Sequence, residues 1–190
     1  WHTVYNAIDF SKYTLVENLP EDAPLIFLSR LERLKGAHEA IQIALETGNR
    51  LIMAGNISGL LEEKEYFRNE IVPYIDGDRI KYVGTLDDEG KNKYLGMSKA
   101  MLFPARTEEA FGMVMVEAMA CGTPVLAYGN AAIPEVIDEG CTGYICNTFE
   151  ELKIKLNDIN LIDRRKCQTY SFSKYDVSFI ARKYISLFEK

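Results

Sequence analysis

Apolar residues fall in short uninterrupted runs, separated by longer stretches in which they recur at helical spacing. The runs predict strands at Leu25-Ile26-Phe27-Leu28, Leu51-Ile52-Met53-Ala54, Ile80-Lys81-Tyr82-Val83, Ala100-Met101-Leu102-Phe103, Pro124-Val125-Leu126-Ala127 and Gly143-Tyr144-Ile145-Cys146. Between them, a helix is predicted from Gly36 to Glu46, with Ala37, Ala40, Ile41, Ala44 and Leu45 on one face. Further helices are predicted over Leu60 to Val72, Asp87 to Met97, Phe111 to Ala120 and Pro134 to Asp138. Helices fill most of the chain after Cys146, with Ile180, Tyr184 and Leu187 apolar in the last. Gly48, Gly55, Gly84, Pro104, Gly122 and Gly140 punctuate the pattern.

Short, fully apolar strands alternating with helices predict an α/β fold: a doubly wound, Rossmann-like six-stranded parallel sheet with helices on both faces. Ligands in such sheets bind at the carboxyl ends of the strands, where the strand order reverses. With the common order 3-2-1-4-5-6, that crevice opens between strands one and four. Residues 1–22 are polar, lack strong periodicity and read as a hinge or lead-in segment. Residues 23–170 read as the Rossmann-like domain.

Composition narrows the partners. Lys and Arg total 22 against 28 Asp and Glu, a net charge of -6, which disfavours a nucleic-acid backbone or an anionic membrane as the main partner. No apolar run approaches the roughly 20 residues of a membrane span, and the start of the chain lacks the pattern of a signal peptide. The chain begins Trp1-His2 without an initiator Met, so a fragment of a longer protein is expected. Cys121, Cys141, Cys146 and Cys167 form no CxxC pair and predict free, mostly buried thiols in a reducing cytoplasm. With His2 and His38 the only histidines, a histidine-based metal site or triad is not expected.

The two loops at the predicted crevice carry the least ordinary residues. After strand one, Arg30 follows the strand directly, and Lys35-Gly36 open the helix. A cation at a helix start opposes the macrodipole, whereas an anion there is favoured by the dipole and by free N–H groups. Arg30 and Lys35 would complete a phosphate cradle; the alternative is two solvated side chains paired with Glu32 or Glu39. After strand four, Glu117 interrupts an apolar helical face, where a charge is costly unless paired. Glu109 lies eight positions earlier, roughly 12 Å away at the helical rise. The amides of Phe111, Gly112 and Met113 would be first-turn donors without partners. The alternative places Glu109 as a capping charge and Glu117 on the solvent side.

The run Glu109-Ala110-Phe111-Gly112, followed by Glu117-Ala118-Met119-Ala120-Cys121-Gly122-Thr123-Pro124-Val125, resembles the signature of the family 4 (group 1) retaining glycosyltransferases, which have the two-domain GT-B fold. Ser29-Arg30 through Lys35-Gly36, Val83-Gly84, Ile133-Pro134-Glu135-Val136-Ile137 and Gly140-Cys141-Thr142-Gly143-Tyr144 match further segments in the same order. Val4-Tyr5-Asn6-Ala7-Ile8-Asp9 resembles the hinge between the two domains.

The resemblance implies a C-terminal domain that binds a nucleotide diphosphate sugar, preceded in the full enzyme by an acceptor-binding domain. It also implies a last helix, within 171–190, that crosses toward that domain. Membrane contact, if any, would come through the absent domain. Arg30 and Lys35 would hold the diphosphate, and Glu109 would bond hydroxyls of the donor sugar. Phe111, Gly112 and Met113 would seat sugar and phosphate by their amides, and Glu117 would accept from the ribose hydroxyls. Gly84, Thr85 and Leu86 would face the base. No metal or other cofactor is implied, and a UDP-sugar is favoured slightly over GDP-mannose. Three positions depart from the family pattern: Ser29 stands where Gly is usual, Ala7 replaces the hinge Gly, and Asn56 follows Gly55 without a second glycine. Other readings are a GT-B nucleotide-sugar epimerase or a non-catalytic nucleotide-binding module.

Overall fold

The structure, a computed structural model, describes residues 2–189. Its six strands are β1 (Leu25–Leu28), β2 (Leu51–Ala54), β3 (Ile80–Tyr82), β4 (Ala100–Phe103), β5 (Val125–Tyr128) and β6 (Gly143–Cys146). Every residue of β1, β2, β4 and β5 is buried. Helices cover both faces of those strands, so their unbroken apolar runs need no alternation. The sheet order is β3-β2-β1-β4-β5-β6, and all neighbours run parallel. In register, Leu25 faces Leu51 on one side and Ala100 on the other. The winding therefore reverses between β1 and β4, as expected from the common strand order.

The helices are α1 (Ala37–Glu46), α2 (Leu61–Tyr66), α3 (Asp88–Gly96), α4 (Met113–Ala120), α5 (Ile133–Val136), α6 (Phe149–Asn157), α7 (Arg164–Tyr175) and α8 (Val177–Phe188). Two boundaries differ instructively from the sequence pattern. The helix predicted over Leu60 to Val72 is regular only to Tyr66; a π-helical turn spans Phe67–Ile71, then a 3-10 turn spans Val72–Tyr74. Pro73 has no N–H to continue the ladder. The helix predicted from Phe111 begins instead at Met113, because Gly112 takes a left-handed conformation at φ 82°. Phe111 and Gly112 therefore precede the helix, and the helical-rise spacing does not apply between Glu109 and Gly112.

Residues 2–22 lie along the domain. Ile8 and Phe10 are buried. Ile8 N–H donates to Tyr175 O at 3.1 Å, and Val177 N–H donates to Ile8 O at 3.0 Å, at the break between α7 and α8. Asp176 in that break caps α8 by accepting from Ser178 N–H. Beneath the sheet's amino end, the half-buried Arg164 guanidinium donates to Val16 O at 2.5 Å, Ser98 O at 2.9 Å, Gly96 O at 3.0 Å and Thr123 Oγ1 at 2.8 Å. One side chain thus joins the lead-in segment to the starts of β4 and β5. On α8, Ile180 is buried, while Val177, Tyr184, Ile185 and Phe188 are exposed. Among the described residues, no helix is long and apolar enough to cross a membrane.

Candidate functional site

The crevice between β1 and β4 depends on close backbone approach. A Cβ on Gly55, at φ 141°, would lie 1.8 Å from Ser29 O, so only glycine lets the end of β2 meet the end of β1 here. Residues Arg33–Lys35 form a 3-10 turn, and Gly36 at φ 78° leads into α1. A Cβ on Gly36 would lie 2.3 Å from Pro104 O. Arg106 N–H donates to Leu34 O at 2.8 Å. The turn carrying Lys35 is thereby pressed against the loop that leaves β4.

That contact brings Lys35 Nζ to 2.7 Å from Glu109 Oε2 and 3.3 Å from Thr107 Oγ1. The two charged side chains are only 11% and 21% exposed, so water screens their attraction less than it would at the surface. Arg30 behaves differently. Its guanidinium is largely exposed and reaches Glu32 Oε1 at 2.8 Å, so it follows the solvated alternative. Lys35 does not, and Glu39 pairs with neither. Instead the buried Glu39 accepts from Arg106 Nε at 2.7 Å and Nη2 at 3.2 Å, and from the Tyr128 hydroxyl. The Arg106 guanidinium also lies 4.9 Å from the Tyr128 ring centroid. This clasp ties the loop after β4 to α1. Its only mark in the sequence is a carboxylate among the apolar positions of α1.

Toward α4, the amides of Phe111, Gly112 and Met113 have no hydrogen-bond acceptor among the described residues. The Phe111 ring is buried against Tyr5 and Tyr175, at centroid distances of 6.2 Å and 5.5 Å. Glu117 is buried, against the solvent-side alternative. Its Oε1 accepts from Lys91 Nζ of α3 at 2.9 Å, and its Oε2 has no partner. Tyr13 stands beside it: burial, then the Glu117 carboxylate, push the Tyr13 hydroxyl well above its ordinary pKa. Gly84, at φ 76°, accepts from Gly55 N–H at 2.9 Å through its carbonyl. Thr85 is exposed and Leu86 half-buried. Each of the two glutamates thus holds a lysine from another element, Lys35 for Glu109 and Lys91 for Glu117. Lys91 was not anticipated, because a lysine in a polar helix reads as solvated.

Other features lie apart. A cleft of about 660 Å³, lined by Glu17, Lys99, Pro124 and Arg165 among others, opens at the amino ends of β4 and β5, the opposite end of the sheet. The four cysteines are free. Burial pushes the Cys121 and Cys146 thiols up to about 12, which removes them as thiolate nucleophiles at neutral pH.

Residues 14–171, which include all six strands, match the family described as glycosyl transferases group 1. N-acetyl-alpha-D-glucosaminyl L-malate synthase of Bacillus anthracis is 29% identical over 173 residues, covering 84% of this chain and 44% of that protein. Among solved structures, Anabaena Alr3699/HepE in complex with UDP-glucose superimposes with a TM-score of 0.80 at 20% identity, covering 98% of this chain and 56% of that one. The C-terminal domain of the group 1 glycosyl transferase LpcC from Francisella tularensis superimposes with a TM-score of 0.72 at 18% identity, covering 90% of this chain and 99% of that domain. At such identities these likenesses establish the fold, that of the C-terminal half of a GT-B protein. The chain spans about half the length of curated relatives it matches, 44% and 54% in two cases. With the family match running from the lead-in segment into α7, over a sheet of the same architecture, the chain belongs to the group 1 glycosyl transferases.

Proposed function

We propose that this chain binds a nucleotide diphosphate sugar and forms the donor side of an enzyme that transfers the sugar with retention of anomeric configuration. The observation that carries this reading is the Lys35–Glu109 pair at the winding reversal, 2.7 Å apart and shielded from water. An ammonium there suits a diphosphate, and a carboxylate beside it suits sugar hydroxyls.

In this reading Lys35, joined by Arg30, stabilises the charge that grows on the phosphate oxygen as the glycosidic bond breaks. Arg30 must leave Glu32 to do so. The two cations supply positive charge of the kind a metal ion supplies elsewhere. Glu109 turns from Lys35 toward the donor-sugar hydroxyls and acts as an orienting acceptor, not a covalent nucleophile. The amides of Phe111, Gly112 and Met113 seat the sugar and phosphate. Glu117 accepts from the ribose hydroxyls, and the backbone of Gly84, Thr85 and Leu86 faces the base. The acceptor hydroxyl attacks from the face the diphosphate leaves. The carbon–oxygen electron pair departs with the nucleoside diphosphate, and the acceptor's proton passes to the departing phosphate oxygen. The acceptor is held by a separate domain, and the setting is the cytoplasm, in keeping with four free thiols.

A UDP-sugar is the first donor to test and GDP-mannose the next. The solved complex of Anabaena Alr3699/HepE with UDP-glucose supports that order by analogy. A thermal-shift panel of UDP, GDP, ADP and their sugars on this chain, repeated with Lys35→Ala and Glu117→Ala, tests the reading. Stabilisation of the parent chain that both variants lose is the expected result. No shift at millimolar ligand, or shifts unchanged by both substitutions, counts against it.

A further inference from the structure

Among the described residues, the one buried side-chain polar atom without a hydrogen-bond partner is Glu117 Oε2. Folded proteins rarely leave such an atom unsatisfied, because desolvation without a partner is costly. The Glu117 side chain is 9% exposed, and its other oxygen accepts from Lys91 Nζ at 2.9 Å. One half of the carboxylate is fastened; the other has the Tyr13 hydroxyl as a neighbour but no hydrogen bond of good geometry to it.

The lysine that fastens it stands on a firm mount. Lys91 lies in the first turn of α3, which Asp87 caps by accepting from Gly90 N–H at 2.8 Å. Gly90 abuts the loop after β3: a Cβ there would lie 3.1 Å from Leu86 Cδ2. From the lead-in segment, Lys12 pairs with Asp88 at 2.9 Å, and Thr14 N–H donates to Asn92 Oδ1 at 2.7 Å. Tyr13, between those two anchors, stands beside Glu117. The start of α3 is therefore fixed to the Leu86 loop and to the lead-in segment, and its ammonium reaches across to α4.

We propose that Lys91 is a positioning residue for nucleotide binding: by holding Glu117 Oε1, it fixes the carboxylate so that Oε2 accepts from the ribose hydroxyl pair. This rests on the reading of Glu117 given under the proposed function. In this arrangement Lys91 touches the carboxylate, not the nucleotide. It also balances a charge that the buried site would otherwise hold alone. The device sets a preference for ribose over sugars that lack the hydroxyls. A site built to hydrogen-bond a hydroxyl rejects the analogue without it, because its own polar atom is then left unpaired.

The test is calorimetric binding of UDP and of 2′,3′-dideoxy-UDP to the parent chain, Lys91→Met and Lys91→Arg, with GDP and its dideoxy counterpart used if only GDP binds. The parent chain is expected to prefer the ribonucleotide by about tenfold or more. Lys91→Met is expected to cut that preference by about fivefold, with affinity for the dideoxy form nearly unchanged, and Lys91→Arg to restore most of it. A merely structural lysine would weaken both ligands alike. Should Lys91→Met fail to fold, Lys91→Gln is read in its place and is expected to show the same loss. A preference that stays constant or rises when the ammonium is removed overturns the inference and leaves the proposed function standing. Absence of any UDP, GDP or ADP binding by the parent chain removes both.

Discussion

Lys35 Nζ sits 2.7 Å from Glu109 Oε2, joining residues 74 positions apart where the winding of the sheet reverses. Lys35 belongs to the turn after β1 and Glu109 to the loop after β4, so the contact exists only because those two strands are neighbours. Removing the lysine leaves a carboxylate that is 21% exposed without its partner. Lys35→Ala should cost roughly 1–2 kcal/mol, between the values for exposed and fully buried pairs. The melting temperature should fall by about 3–6 °C. Lys35→Ala and Glu109→Ala combined should cost less than the sum of the single changes, which a double-mutant cycle by denaturant unfolding measures. Strict additivity would mean the pair contributes nothing.

Gly36 and Gly48 separate backbone strain from close approach. Both have positive φ, 78° and 71°, but a Cβ on Gly36 meets Pro104 O at 2.3 Å, while one on Gly48 meets nothing within 4 Å. Gly48→Ala should therefore show strain alone, about 1 kcal/mol. Gly36→Ala should cost clearly more and should weaken nucleotide binding, because Pro104 must move away from the Lys35 turn. Urea melts of both variants give the comparison; equal losses would contradict the packing described here.

Arg164 holds the amino end of the sheet. Burial lowers its guanidinium to about 10, still charged at neutral pH, and its donors are spent on backbone carbonyls and Thr123. Arg164→Met fills similar volume but strands those acceptors. A loss of about 2–4 kcal/mol is expected. Since Arg164 is at the opposite end from Lys35, nucleotide affinity of the folded variant should not change. A Tm within a degree of the parent's would refute the structural role.

His38 gives the chain a pH dependence. Burial outweighs the nearby Glu39 carboxylate and lowers the imidazole pKa from its ordinary 6.5. The unfolded chain therefore takes up the proton first as pH falls. Stability is unaffected by this group well above pH 6.5, and is lost as pH drops through 6.5 toward the lower folded value. The Tyr66 hydroxyl lies 2.8 Å from His38 Nδ1 while accepting from the His38 amide at 3.1 Å. Melting curves between about pH 7.5 and 5 should show a smaller drop for His38→Asn than for the parent chain. Parallel curves would show that His38 titrates as it does in the unfolded state.

How far the sequence could be read differs between the frame and the charges. β1, β2, β4 and β6 fall on the residues their apolar runs mark, because a strand buried on both faces must be apolar throughout. α4 starts two residues later than its helical pattern, since that pattern does not encode the left-handed conformation Gly112 adopts. The two glutamates stood out as charges near apolar positions, but their partners did not. Lys91 and Arg164 sit in helices whose polar composition marks them as solvated, and both are turned inward.

The order of apolar runs and glycine stops was enough to determine a parallel sheet wound with helices; its reversal between β1 and β4 follows from the pattern only when the common strand order is assumed, and the tertiary structure bears that order out. The wound sheet follows from burial and chain chirality, which act on local pattern. Which lysine faces which glutamate, and which arginine is spent on Glu39 or on the carbonyls beneath the sheet, was decided only by tertiary packing. Such pairings join residues tens of positions apart. They depend on the rotation of each helix over the sheet and on approaches such as Gly36 to Pro104, which no periodicity along the chain encodes.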